Sequence, residues 1–311
     1  MRWLFHVVRA RDLSWGSDGR YAPASLLREG FIHASYKEKV VESARLYFTD
    51  ADGPLRVLAI DPRRLDVSVK DEPTPRGPMP HVFGSIPVDA VRAIGIDDVE
   101  THPDVVRGTR FAFAAFEGMT LLDLVGPFDV LSRIATMGFD DTSTCEVIAL
   151  TRPVSHRSER DVPVWSASGA TLVATRYRPP LDKVDGFDVL VIPGGPGARS
   201  LQDDRELLSY LESFPKNRLL ASVCTGSLVL GALGRLEGKR ATTHHTMLGA
   251  LEAFGATVVR DRVVDEGQVV TSGGVTSGLQ LGLHLVKRLA GDVVAQKIAH
   301  QIEIANAPSA T

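Results

Sequence analysis

From Arg110 onward the chain alternates short apolar blocks with stretches whose apolar residues recur at helical spacing. The blocks at 110–116, 144–150, 187–192 and 218–223 predict buried strands, with a later group around 256–259, 262–265 and 268–271. Helices are expected near 123–137, 200–213 and 225–234. A further helix from Val275 to Ala290 places Leu279, Leu283, Val286 and Ala290 on one face. Strands alternating with helices imply a parallel sheet covered on both faces, that is, a doubly wound α/β domain. In that architecture ligands gather at the carboxyl ends of the strands. The earlier part of the chain reads as α+β, with strands near 2–8 and 55–60, a short helix near 24–29 and a longer one near 37–47. Prolines at 73, 75, 78 and 80 predict an extended segment over 72–80. A polar stretch at 97–108 separates the two patterns, which sets the expected domains at 1–100 and 108–306.

Composition narrows the class. At 311 residues the chain exceeds one comfortable core. A net charge of −3 gives no excess of positive charge for wrapping a polyanion, so no nucleic-acid partner is expected. Met1 to Val8 is apolar for too few residues to serve as a signal peptide, and no apolar run approaches the roughly 20 residues that span a bilayer. Two cysteines, Cys145 and Cys224, argue against a disulfide framework and fit a reducing compartment. The expectation is a soluble cytoplasmic protein with a small-molecule substrate and no membrane partner.

The chemistry centres on Cys224. It lies where the strand 218–223 runs into a helix opened by Thr225-Gly226-Ser227, and the frame Ser222-x-Cys224-x-Gly226 has the form of a nucleophile elbow. The helix N-terminus is expected to favour thiolate over thiol; a buried structural cysteine is the plain alternative. Three segments are candidates to meet the elbow. Asp123 stands among apolar residues in Leu121–Val130, where it is either a helix N-terminal residue or an acid sharing a proton with the thiol. Ile192-Pro193-Gly194-Gly195-Pro196-Gly197 ends a strand, and the Gly195 amide is a candidate to stabilise negative charge if the segment is more than a turn. Ala241-Thr242-Thr243-His244-His245 offers a base, and adjacent histidines are expected to point to opposite sides, so that at most one faces the thiol. No third ligand stands at a metal-binding spacing, and no cofactor is expected.

These motifs together resemble the ThiJ/PfpI superfamily over about 108–306: Asp123-x-x-Gly126-Pro127, Pro193-Gly194-Gly195, Ser222–Gly226, Ala241–His244 and Thr271–Thr276. They look most similar to its isonitrile hydratase branch. The resemblance implies a flavodoxin-like domain related to the class I glutamine amidotransferases, and a cofactor-independent lyase. In it Cys224 is the nucleophile, Asp123 its acid partner and Thr225 a supporting catalytic residue, with Gly194, Gly195 and His244 near the substrate. Family habit implies a homodimer. Thr225 stands where peptidase-like branches carry histidine, Asp123 where many carbonyl-processing relatives carry glutamate, and the last expected helix ends near Asn306 with no helix-turn-helix domain after it. Processing of 2-oxoaldehydes and a non-enzymatic cysteine redox sensor are the alternatives. Residues 1–98, through Trp15, Tyr21, Ser25, Gly30–Ser35, Glu72 and Pro80–Gly84, resemble a bacterial domain of unknown function, distantly similar to the ADP-ribosyltransferase fold. His33 and His81 there either line a polar pocket or are satisfied structural residues.

Overall fold

The computed structural model describes residues 2–104, 106–151, 160–177 and 184–304. It contains two compact units, one built on the residues up to Arg107 with Ala290–Val294, the other on Gly108–Leu289 and the residues from Ala295 on.

The second unit is organised by one sheet. Its strands are β1 (Arg110–Ala115), β2 (Thr144–Ala149), β3 (Arg176–Tyr177), β4 (Val189–Ile192), β5 (Leu219–Val223), β6 (Val263–Asp265) and β7 (Val269–Ser272), in the spatial order β3-β2-β1-β4-β5-β7-β6. Every pair is parallel except β6 with β7. All residues of β4 and β5 are buried, as unalternated aliphatic runs require when helices cover both faces. The chain order reverses between β1 and β4, which opens a crevice at their carboxyl ends. The helices are α1 (Leu121–Thr136), α2 (Pro196–Leu201), α3 (Arg205–Glu212), α4 (Gly226–Ala232), α5 (Leu248–Glu252), α6 (Ser277–Ala290) and α7 (Asp292–Gln301). Gly278 and Gly282 let α6 approach α1 closely: a Cβ on Gly278 would sit 3.1 Å from Pro127 Cδ, and one on Gly282 2.7 Å from Val130 Cβ.

Several expectations needed correction. The helix expected at 200–213 is two helices, because Asp204 starts α3 anew by accepting hydrogen bonds from the Glu206 and Leu207 amides. The strand expected at 256–259 is not in the central sheet; Thr257–Val258 pairs instead with Arg240–Ala241. An unforeseen hairpin, Val162–Trp165 with Thr171–Ala174, docks on the loop after β1 through Gly118 N–H to Trp165 O and Ala167 N–H to Met119 O.

The first unit is α+β. Leu4–Arg9, Leu55–Ile60 and Val91–Ile94 form an antiparallel sheet with Leu55–Ile60 in the middle, and Met79–Val82 lies between Ile32–His33 and Val69–Glu72 in another. Helices Ala24–Glu29 and Val40–Tyr47 accompany them. The core gathers Tyr21, Ile32, Leu58, Ile60, Val82 and Ile86, with a neighbouring cluster around Phe5, Val40 and Val57. The segment 72–80 is not extended throughout: Thr74 and Gly77 exchange backbone hydrogen bonds in a tight turn between two of these strands. Proline restricts its neighbours but does not forbid a turn, and Gly77 supplies the positive φ of 97°.

Candidate functional site

Cys224 occupies the junction of β5 and α4 with φ at 56°, a left-handed conformation rare for a residue with a side chain. The backbone is held there from both directions. Its N–H donates to Ser272 O and Gly273 O, and its carbonyl accepts from Ser227 Oγ at 3.1 Å and Thr243 Oγ1 at 3.0 Å. Small neighbours are obligatory at this junction. A Cβ on Gly194 would lie 2.5 Å from Thr225 N and 2.8 Å from Cys224 Cβ, so only glycine lets the end of β4 pass the elbow.

Asp123, in the first turn of α1, is fully buried, at 0% exposure. Its Oδ2 accepts the Gly194 amide at 3.1 Å, which ties the start of α1 to the end of β4 across the crevice. Oδ1 has no complete hydrogen bond among the described residues, and the carboxyl's remaining interaction is with the Cys224 thiol. Burial pushes the Asp123 carboxyl up to about 6, against the opposing effect of the Gly194 amide and the thiol.

The sulfur is not the thiolate that the helix position suggested. Burial, followed by the negative charge of Asp123, pushes the Cys224 thiol up to about 11, although the Thr225 and Val275 amides act in the opposite direction. Cys224 is only 6% exposed, and two backbone dipoles do not outweigh lost solvation beside a carboxylate. Between about 6 and about 11 the pair therefore holds one proton, on sulfur, facing a carboxylate.

The Gly195 amide is not free to meet a substrate. It donates to Thr225 Oγ1 at 2.9 Å, while that hydroxyl lies 3.2 Å from Gly195 O as donor. With Gly194 N–H on Asp123, both glycine amides are used to position the site, and Thr225 acts as a clasp on the loop after β4. The two histidines do not diverge. They lie in a turn rather than a strand, with ring centroids 4.3 Å apart, and His245 is the more exposed. His244 Nδ1 accepts the Thr246 amide, so its proton sits on Nε2, and its ring packs against Gly274. Burial and then His245 lower the His244 pKa. No hydrogen bond joins either imidazole to the sulfur among the described residues, so neither serves as its direct base.

Sequence reasoning missed Val275. Its amide faces the sulfur, and its φ of 35° is strained for a β-branched residue. The preceding Gly273-Gly274 was the only local sign of an unusual backbone there. Among the described residues no group of three or more His, Cys, Asp or Glu is arranged to hold a metal, and no helix is long and apolar enough to cross a membrane. Loops at 152–168 and 196–200 are expected from the sequence to wall the pocket; residues 152–159 lie outside the described residues, and 196–200 falls in α2.

A doubly wound α/β domain with a cysteine at a strained elbow and a buried acid beside it defines a recognisable class of protein. The chain belongs to the DJ-1/PfpI family, whose sequence profile matches residues 109–288. Residues 8–94 match a second profile, that of a protein family of unknown function, DUF952. An isonitrile hydratase of Pseudomonas putida is 37% identical over 201 residues, covering 64% of this chain and 80% of that protein. A glutathione-independent glyoxalase, DJR-1.2 of Caenorhabditis elegans, is 32% identical over 130 residues, covering 42% of this chain and 69% of that one. The crystal structure of a ThiJ/PfpI family protein from Pseudomonas syringae superposes with a TM-score of 0.54 at 29% identity, covering 67% of this chain and 83% of that one.

Proposed function

We propose that the second unit is a lyase that hydrates an isonitrile, R–N≡C, to an N-substituted formamide through Cys224 and Asp123. The observation that carries this reading is the fully buried Asp123 beside the Cys224 thiol, with one carboxyl oxygen lacking a complete hydrogen bond among the described residues. The likeness to an isonitrile hydratase supports it.

An isonitrile carbon is both basic and, once protonated, strongly electrophilic. Asp123 takes the thiol proton and delivers it to that carbon while sulfur adds to the same atom, giving the thioimidate R–N=CH–S–Cys224. The single proton held by the pair at neutral pH is the one this step consumes. Water then adds to the thioimidate carbon with Asp123 as base, and the C–S bond breaks to release R–NH–CHO and return the proton to sulfur. Thr225 and the glycine amides act as positioning residues, and His244 offers an Nε2–H donor for the oxygen that water introduces.

The test is turnover of cyclohexyl isocyanide, lost in Cys224→Ala and reduced by about 10²-fold or more in Asp123→Asn. Normal rates in either variant reject the assignment. The likeness to a glyoxalase gives the second reading, and formation of lactate from methylglyoxal without glutathione, with no isonitrile turnover, would establish it instead. The redox-sensor reading has its own outcome: mild peroxide would convert Cys224 to sulfenic or sulfinic acid while small electrophiles are not turned over.

A further inference from the structure

The first unit carries a row of nitrogen donors that the cysteine chemistry does not use. His33 and Lys70 are the two direct cross-strand partners of His81, so all three side chains leave the same face of the sheet. The His33 and His81 rings are 5.1 Å apart, edge to face. Phe31 stacks on His81 at 4.1 Å, and Lys70 Nζ lies over the Phe83 ring at 5.1 Å, so the aromatic side chains hold these donors in place.

What sets His81 and Lys70 apart is that neither side chain has a hydrogen-bond or ion-pair partner among the described residues. His81 is only 8% exposed, and its Nδ1 is buried without a hydrogen bond. A bare acceptor is the less costly way to leave that atom, which puts the proton on Nε2, where it also has no protein partner among the described residues. Lys70 makes no ion pair among the described residues. His33 gives Nε2 to Glu29 at 2.7 Å, which orients the ring and leaves Nδ1 free. The groups acting on His81 are His33, which lowers its pKa after burial, and Glu72 and Glu29, which raise it.

We infer that the His33–His81–Lys70 row is a binding site for the phosphoryl group of a small phosphate monoester. Three N–H donors from three adjacent strands surround a tetrahedral anion with three acceptor oxygens better than they match a planar carboxylate. The Lys70 ammonium supplies the attraction for the anion, against the Glu29 and Glu72 carboxylates that also act on His81. Burial lowers the His81 pKa, and bringing an anion against its ring acts in the opposite direction.

The experiment is a titration of the full chain with inorganic phosphate, followed by NMR of the histidine ring signals as a function of pH. The expected result is an upward shift of about one pH unit for His81, with binding weakened about tenfold or more in Lys70→Ala, which is exposed and leaves the sheet intact. His33→Gln is a second variant expected to weaken binding. Undisturbed His33 and His81 signals with phosphate present overturn the proposal, as does phosphate affinity unchanged in both variants. Acetate binding as tightly at matched ionic strength overturns the assignment to a phosphoryl group.

Discussion

Replacing Asp123 with asparagine is expected to make the Cys224 thiol more acidic and the protein less active at the same time. Asp123 raises the thiol pKa through its charge, second only to burial. An asparagine side chain keeps the size and an acceptor for the Gly194 amide but carries no charge. The whole rise from 9.0 to about 11 is worth about 3 kcal/mol. Burial persists in the variant, so the expected fall is on the order of one pH unit, or about tenfold more thiolate at neutral pH. The assay is the rate of iodoacetamide alkylation against pH, with Cys145 no interference because burial pushes it up to about 12. Alkylation should move to lower pH while isonitrile turnover falls by about 10²-fold or more. If Asp123 instead helped to ionise the cysteine, alkylation of the variant would move to higher pH. That result, or an unmoved profile, would refute the shared-proton account.

Other consequences can be measured directly. Turnover should rise as pH increases through about 6, where Asp123 becomes able to accept the thiol proton, and fall as pH passes about 11, where the pair loses its proton; a pH–rate profile checks both limbs. Because the folded-state pKa of Asp123 is raised from 3.8 to about 6, its stabilising contribution is complete below pH 3.8 and is lost as pH rises through about 6. Asp123→Asn should therefore gain up to about 3 kcal/mol relative to the native chain between about pH 4 and 7 in urea unfolding. Thr225→Val leaves the buried Gly195 amide without its acceptor and should cost about 1–3 kcal/mol in the same assay. Gly194→Ala forces a methyl to 2.5 Å from Thr225 N and should cost about 1–3 kcal/mol and abolish turnover by displacing the elbow.

Much of the second unit was legible because its signals are short-range. Unalternated apolar runs marked β4 and β5, and the small residues around Cys224 marked the elbow, since bulk beside that backbone has nowhere to go. Where the reading failed, the deciding contact was distant or the local rule permissive. The hairpin at Val162–Trp165 and Thr171–Ala174 is fixed partly by the loop after β1, and the turn at 74–77 depends on one glycine among prolines.

The sequence by itself determined the alternation of strands and helices, the elbow and its cysteine, and the acid and glycines able to meet it. These follow from periodicity and from sterics between near neighbours. Only the tertiary structure decided how those groups are used. Asp123 and Gly194, 71 residues apart, are joined by a hydrogen bond, Thr225 occupies the Gly195 amide, and the proton rests on Cys224 rather than leaving it. Ionisation depends on how much water the fold removes and which charges it brings close, and neither quantity exists until the strands have packed.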